Sequence, residues 1–219
     1  LKKNIKSSTA IIGGSKVSTK LKVFDNLIEI FDTLIVGGAM ANTFLYSKGY
    51  GIGKSLVEKD LVDDVKLILK KMSNYNKNII LPIDLVCSKN LTDSTNIKIA
   101  DIENILPDQI AFDIGNKTIE TIRSSLLISK MILWNGPLGA FEYKPFDFGT
   151  NAIAKTIKTD IYKLNITSIA GGGDTIAALK KTNAEKYFTY LSNGGGAFLE
   201  WLEGNESPGI KALITNDFY

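Results

Sequence analysis

Short apolar runs recur along the chain, and five of them end at glycine. Thr9-Ala10-Ile11-Ile12 leads into Gly13-Gly14, Thr33-Leu34-Ile35-Val36 into Gly37-Gly38, and Met131-Ile132-Leu133-Trp134-Asn135 into Gly136. Ile166-Thr167-Ser168-Ile169-Ala170 leads into Gly171-Gly172-Gly173, and Phe188-Thr189-Tyr190-Leu191-Ser192 approaches Gly194-Gly195-Gly196. Each run is β-branched or aromatic, of strand length and apolar on both faces, which predicts buried parallel strands. Asn78-Ile79-Ile80-Leu81-Pro82 and Ile110-Ala111-Phe112-Asp113-Ile114-Gly115 predict two further strands.

Helical spacing fills the intervals. Residues 20–30 place Leu21, Phe24, Leu27, Ile28 and Phe31 on one face. Residues 58–72 group Leu61, Val65, Ile68, Leu69 and Met72, and residues 118–128 group Ile119, Ile122, Leu126 and Leu127. A helix over 174–181 follows a glycine turn, with Asp174 or Thr175 placed to cap it. Alternating strand and helix predict an α/β fold: a three-layer, Rossmann-like parallel sheet with helices on both faces. Residues 89–106 are polar and break the rhythm, as a small antiparallel excursion or a loop. No internal repeat or low-complexity linker divides the chain, so one domain over 1–219 is expected.

Composition narrows the chemistry. The 219 residues include no histidine, one cysteine (Cys87) and one arginine (Arg123), so 25 of the 26 basic residues are lysine. A Ser-His-Asp triad, a Cys-His dyad, a His-ligated metal and an internal disulfide are excluded. The single cysteine fits a reducing compartment, and a cytoplasmic location is expected. The net charge of +3 is dispersed. No basic run marks a nucleic-acid partner and no apolar run reaches membrane-spanning length.

In an open α/β sheet, ligands bind beyond the carboxyl ends of the strands. Glycine there frees backbone amides, and a helix starting directly afterwards adds a partial positive charge, so phosphate is the natural guest. One such glycine needs no ligand to explain it, since a tight turn suffices. Five on one sheet edge point to a site. Neither a Walker-type loop nor Gly-x-Gly-x-x-Gly at a strand end occurs, which weighs against both nucleotidases of that kind and dinucleotide dehydrogenases.

Lys16 and Lys20 follow the first strand at a spacing of four. If the helix starts there, both ammonium groups share a side at a helix N-terminus, where cations are unfavourable unless an anion lies between them. Two solvated lysines in a lysine-rich chain remain the plainer alternative. Asp174 closes Gly171-Gly172-Gly173-Asp174. Its carboxylate would repel phosphate unless a divalent cation such as Mg²⁺ bridged the two. A capping role is compatible with that. Glu142 could accept from ribose hydroxyls or stand as a plain surface acid.

Several motifs resemble phosphoglycerate kinase: Trp134-Asn135-Gly136-Pro137-Leu138-Gly139-Ala140-Phe141-Glu142, Gly171-Gly172-Gly173-Asp174-Thr175 and Gly194-Gly195-Gly196-Ala197-Phe198-Leu199-Glu200. Gly13-Gly14-Ser15-Lys16-Val17-Ser18-Thr19-Lys20 and Leu81-Pro82-Ile83-Asp84 complete the set in the same order and spacing. The likeness runs from about Thr9 onward and is to the family's carboxyl-terminal, nucleotide-binding domain. The family's amino-terminal phosphoglycerate site, rich in arginine and histidine, has no counterpart here.

The resemblance implies the following roles. Lys20 holds the α- and β-phosphates, and Lys16 neutralises the phosphoryl group in transfer. Asp174 ligates Mg²⁺. Thr175 and the amides of Gly172 and Gly173 surround the phosphates, and Asn135 contacts the polyphosphate. Gly14 and Gly38 approach the nucleotide, and Glu142 the ribose. Gly195 and Gly196 face the transferring group, and Leu56, Ala111, Phe112 and Pro137 line the base pocket. Lys16, Gly172, Gly195 and Gly196 form the catalytic set. Ser15 stands where the family usually has Ala, while Ala39 and Ala111 each stand where it usually has Gly.

The implied partners are Mg-ADP or Mg-ATP, with 3-phosphoglycerate reached only through the other domain. A monomer that binds neither nucleic acid nor membrane is expected. The implied activity is the nucleotide half of a glycolytic phosphoryl transfer, inactive alone. A stand-alone nucleotide-binding module is the alternative.

Overall fold

In the computed structural model, residues 7–92 and 96–205 are described. Six parallel strands form the central sheet in the order β3-β2-β1-β7-β8-β9. They are β1 (Ser8–Ile12), β2 (Thr33–Val36), β3 (Asn78–Ile80), β7 (Met131–Asn135), β8 (Thr167–Gly171) and β9 (Tyr190–Ser192). Strand β9 is shorter than the apolar run predicts.

Side chains alternate across a strand, and because these runs are apolar at both parities they feed two cores. Ala10, Ile12, Leu34, Val36, Met131 and Leu133 face one core. It is completed by Phe24, Leu27 and Ile28 of α1 (Leu21–Ile30), Phe44 of α2 (Met40–Ser47), Val65, Ile68 and Met72 of α3 (Val62–Asn74), and Phe198 and Leu202 of α7 (Gly195–Leu202). Ile11, Ile35, Ile132, Trp134 and Ala170 face the other. There they meet Ile119, Ile122 and Leu126 of α4 (Asn116–Leu127), Ile153 and Ala154 of α5 (Phe148–Thr156), and Leu179 of α6 (Gly173–Lys181). The three-layer expectation holds.

Other details differ. Leu127 is exposed rather than packed with its predicted neighbours, because α4 ends at that residue. Helices α2, α5 and α7 carry no clear apolar stripe in the sequence and form where packing demands them. The run at 110–114 becomes β6 (Ile110–Ile114) but joins a separate antiparallel sheet, β5-β4-β6. Its middle strand, β4 (Asp84–Ser88), opens on a charged residue and escapes the apolar pattern. Strand β5 (Lys98–Asp101) supplies the predicted antiparallel excursion, residues 93–95 of which lie outside the described set.

Asp84 ties this small sheet to the main body. Its buried carboxylate accepts from Lys117 N at 3.0 Å, Thr118 N at 2.8 Å and Thr118 Oγ1 at 2.6 Å, so it caps α4 from a distant strand. Cys87, in β4 itself, is fully buried, and burial pushes its thiol up to about 11, which leaves it unreactive. No helix among the described residues is long and apolar enough to cross a membrane.

Candidate functional site

Strand order locates the site. From β1 the chain moves to β2 on one side, while β7 lies on the other and leads to β8 and β9. The loops after β1 and β7 therefore part at a topological switch point, where open α/β sheets form their ligand crevice. The two backbones approach closely there. Gly13 N donates to Asn135 O at 2.9 Å, and Gly14 N to Pro137 O at 3.1 Å. A Cβ at Gly13 would collide with Pro137 O, and one at Gly136 with Gly13 O. Glycine at both positions is thus a requirement of the crossing itself.

Lys20 closes the floor of this crevice. It stands immediately before α1, half-buried. Its Nζ donates to Gly13 O at 2.7 Å, Asn135 O at 3.1 Å and Asn135 Oδ1 at 2.6 Å. None of these acceptors is charged. Burial pushes the ammonium down to about 8, against a smaller opposing pull from Asp174. A cation held this way lacks a counter-ion and favours an arriving anion.

Lys16 lies elsewhere than its spacing predicts. The helix begins at Leu21, and Lys16 sits in the preceding turn, exposed. The two lysines therefore do not share a helix face. Lys16 stands at the crevice rim, with no side-chain hydrogen bond to the described residues.

Asn135 links the next pair of strands. Its Nδ2 donates to Gly171 O at 2.8 Å while its Oδ1 accepts from Lys20. Thr175 accepts from Gly136 N at 2.7 Å through Oγ1 and is buried. The side-chain cap predicted for α6 does not form, because Gly172 occupies that position and Thr175 is turned to the Gly136 loop. Gly172 has φ +97, and a Cβ there would meet Asn135 Nδ2 at 2.8 Å.

Gly173 and Asp174 are exposed in the first turn of α6, and Asp174 makes no hydrogen bond or ion pair with the described residues, although its charge pulls on Lys20. Gly195 and Gly196 open α7. A Cβ at Gly195 would lie 3.8 Å from Gly173 N, so the starts of α6 and α7 present amides side by side. Beside them is an open cleft of ≈ 470 Å³ lined by Gly172, Gly173, Ile176, Lys180, Ser192 and others. Lys180 and Ser192 were not anticipated from sequence.

The residues expected to line a base pocket are only partly assembled. Gly38, Ala111 and Phe112 meet Asn42, Leu85, Asp113 and Leu138 around a gap of ≈ 10 Å³, too narrow for a purine in this conformation. Leu56 is 48% exposed and stands outside that gap, as does Pro137. Leu56 is nevertheless held near it, since Asn42 Nδ2 donates to Leu56 O at 3.3 Å and Ala111 N to Ser55 Oγ at 2.9 Å. Glu142 is exposed, and its neighbour Phe141 accepts from Lys181 Nζ at 2.9 Å.

Asp113 is the buried acid of this side. Its carboxylate accepts from Ile114 N at 2.9 Å and Gly149 N at 2.6 Å. Burial outweighs those two donors and, aided by Asp147, raises the group to about 8. Among the described residues no cluster of three or more His, Cys, Asp or Glu could hold a metal alone. An exposed Asp174 without a hydrogen bond or ion pair among the described residues, beside the helix-start amides, fits Mg²⁺ carried in with phosphate, because Mg²⁺ is usually held by one or two carboxylates plus phosphate oxygens.

These features define a class: an open parallel α/β sheet with a crevice at its switch point, floored by the half-buried Lys20 ammonium. The sequence pattern of one family, Phosphoglycerate kinase, matches residues 1–205, and the chain belongs to that family. It is 44% identical over 204 residues to the phosphoglycerate kinase of Rhodospirillum centenum, covering 93% of this chain and 52% of that protein. It is 47% identical over 217 residues to that of Orientia tsutsugamushi, covering 98% and 53%. The solved phosphoglycerate kinase of Coxiella burnetii superposes with a TM-score of 0.89 at 40% identity, covering 97% of this chain and 54% of that one. The enzyme from Pyrococcus horikoshii gives 0.77 at 30% identity, covering 97% and 53%. The chain thus spans about half the length of the relatives it matches.

Proposed function

We propose that this chain is the nucleotide-binding half of a phosphoglycerate kinase. The whole enzyme would transfer a phosphoryl group between 1,3-bisphosphoglycerate and Mg-ADP, giving 3-phosphoglycerate and ATP. The observation that carries the reading is Lys20, a half-buried ammonium bonded only to neutral oxygens at the switch point.

Phosphoryl transfer asks little covalent work of a protein, so positioning and electrostatics carry it. No general base is needed, which suits a chain without histidine. Lys20 supplies charge beneath the α- and β-phosphates, and the amides of Gly172 and Gly173 face them. Asn135 orients Lys20 through Oδ1 and steadies the β8 end through Nδ2. Lys16, at the rim, meets the group in transfer, with the amides of Gly195 and Gly196 opposite. Asp174 would hold Mg²⁺, which supplies charge neutralisation on the phosphate oxygens. Glu142 takes the ribose, and Leu56, Ala111, Phe112 and Pro137 receive the base once the narrow gap opens.

The acid substrate carries phosphates that one arginine and no histidine leave largely unheld, so a second domain must hold it and exclude water. Orientation can supply roughly 7–11 kcal/mol of a barrier, and each 1.36 kcal/mol is about tenfold in rate. The chain alone should therefore bind Mg-ADP yet show no turnover in a coupled assay. Tethering the amino-terminal half of a relative should restore it. Robust turnover by the chain alone would overturn the half-enzyme reading. Tight nucleotide binding with no restoration would favour a stand-alone binding module.

A further inference from the structure

The turn that carries Lys16 is fixed at three places. At its start, Gly14 is bonded to Pro137 and accepts from Met40 N at 3.1 Å. In its middle, Val17 is fully buried in the core beneath α1. Beyond that, Ser18 donates to a single carboxylate, Glu58, through its amide at 3.1 Å and through Oγ at 2.5 Å. Among the described residues, Glu58 is the one side chain from outside the turn that bonds to residues 15–19. Inside it, Thr19 Oγ1 donates to Lys16 O at 2.9 Å, which passes the constraint to the lysine's own peptide.

Glu58 is itself firmly mounted. Its amide donates to Thr43 Oγ1 at 3.2 Å, and Leu56 O accepts from Asn42 Nδ2 at 3.3 Å. Asn42 and Thr43 are both buried in α2. One short segment, 56–58, thus carries both a base-side residue and the carboxylate that grips the Lys16 turn. An acid beside an anion site is unfavourable unless its charge is engaged, and here both carboxylate oxygens are turned to Ser18.

We propose that Glu58 is a positioning residue that sets Lys16 for the terminal phosphate and links its turn to the base-side segment. This rests on the reading of Lys16 given above. Glu58→Gln removes the charge and leaves one oxygen for two donors. Loss of a hydrogen bond to a charged acceptor is on the order of tenfold.

The test is calorimetric titration of the 219-residue chain with Mg-ATP and with Mg-ADP, using wild type, Glu58→Gln, Ser18→Ala, Lys16→Ala and the Glu58→Gln/Lys16→Ala double variant. Glu58→Gln should weaken Mg-ATP by about tenfold and leave Mg-ADP nearly unchanged. Ser18→Ala should act in the same direction. In the Lys16→Ala background, Glu58→Gln should have no further effect, because the two act as one unit. A merely structural role would move both nucleotides together and persist in the double variant, and either result overturns the proposal. If Lys16→Ala weakens Mg-ATP but Glu58→Gln does not, the proposal falls alone. If Lys16→Ala leaves Mg-ATP binding intact, the Lys16 reading falls and takes the proposal with it.

Discussion

Replacing Lys20 by Met keeps the apolar stem and removes the charge. In the ligand-free chain that ammonium is bonded to Gly13 O, Asn135 O and Asn135 Oδ1, and burial holds it at about 8 instead of the usual 10.5. A shift of that size corresponds to roughly 3 kcal/mol of penalty on the charged form. Below pH 8 the free chain bears this penalty in full. Between 8 and 10.5 the folded state gives up a proton that the unfolded chain keeps, so stability rises with pH there. An arriving phosphate reverses the preference, and binding above pH 8 must take up a proton.

Mg-ADP affinity should accordingly fall by about tenfold per pH unit above 8, so that pH 9.5 lies about thirtyfold below pH 7. Lys20→Met should weaken binding at pH 7 by roughly 2–5 kcal/mol and flatten its pH profile. Calorimetry between pH 6.5 and 9.5, in buffers of different ionisation enthalpy, reads both affinity and proton uptake. A wild-type affinity that ignores pH would show that Lys20 does not meet the phosphate as a cation, as would a Met variant with the same slope.

Two further outcomes concern the scaffold. Asp113 titrates at about 8 in the fold against an ordinary value near 3.9. Between those values the folded state holds a proton the unfolded chain has lost, so the wild type sheds up to about 1.4 kcal/mol per pH unit. Asp113→Asn should lack that slope in denaturant unfolding at pH 5, 7 and 9, and parallel curves for the two proteins would contradict it. Thr175→Val leaves Gly136 N without its acceptor in a buried place, which should destabilise the chain by about 1–3 kcal/mol. An unchanged melting profile would show that the Gly136 loop does not depend on that bond.

The central sheet was legible because its inner strands β1, β2 and β7 are buried on both faces and mostly apolar at both parities, while the edge strands β3 and β9 are only partly covered. Strand β4 was not, because Asp84 serves α4 rather than the core. Helices α2 and α7 start directly at glycine turns, and their sequences carry Ala, Asn, Thr and Gly where a surface helix would show a clean stripe. Around the proposed site, the glycine edges, Lys20 and Asp174 stand out in the sequence because few residue types suit the phosphate that the proposal places there. The helical pairing of Lys16 with Lys20 depended on a helix starting there, and α1 begins only at Leu21, with a turn before it. Asn42, Glu58 and Asp113 left no local signal. Each acts on a partner 14 to 40 residues away, and only the fold brings those partners within reach.

On the proposed function, the carboxyl ends of the six-stranded sheet receive a magnesium nucleotide. The most direct test is a titration of the glycine-¹⁵N-labelled chain with Mg-ADP, followed by amide chemical shifts. Gly14, Gly38, Gly136, Gly172 and Gly173 should move together and saturate at one affinity, while Gly49 and Gly204, in the turns after α2 and α7, stay in place. Shifts confined to Gly49 or Gly204, or none at millimolar nucleotide with the chain folded, would contradict it.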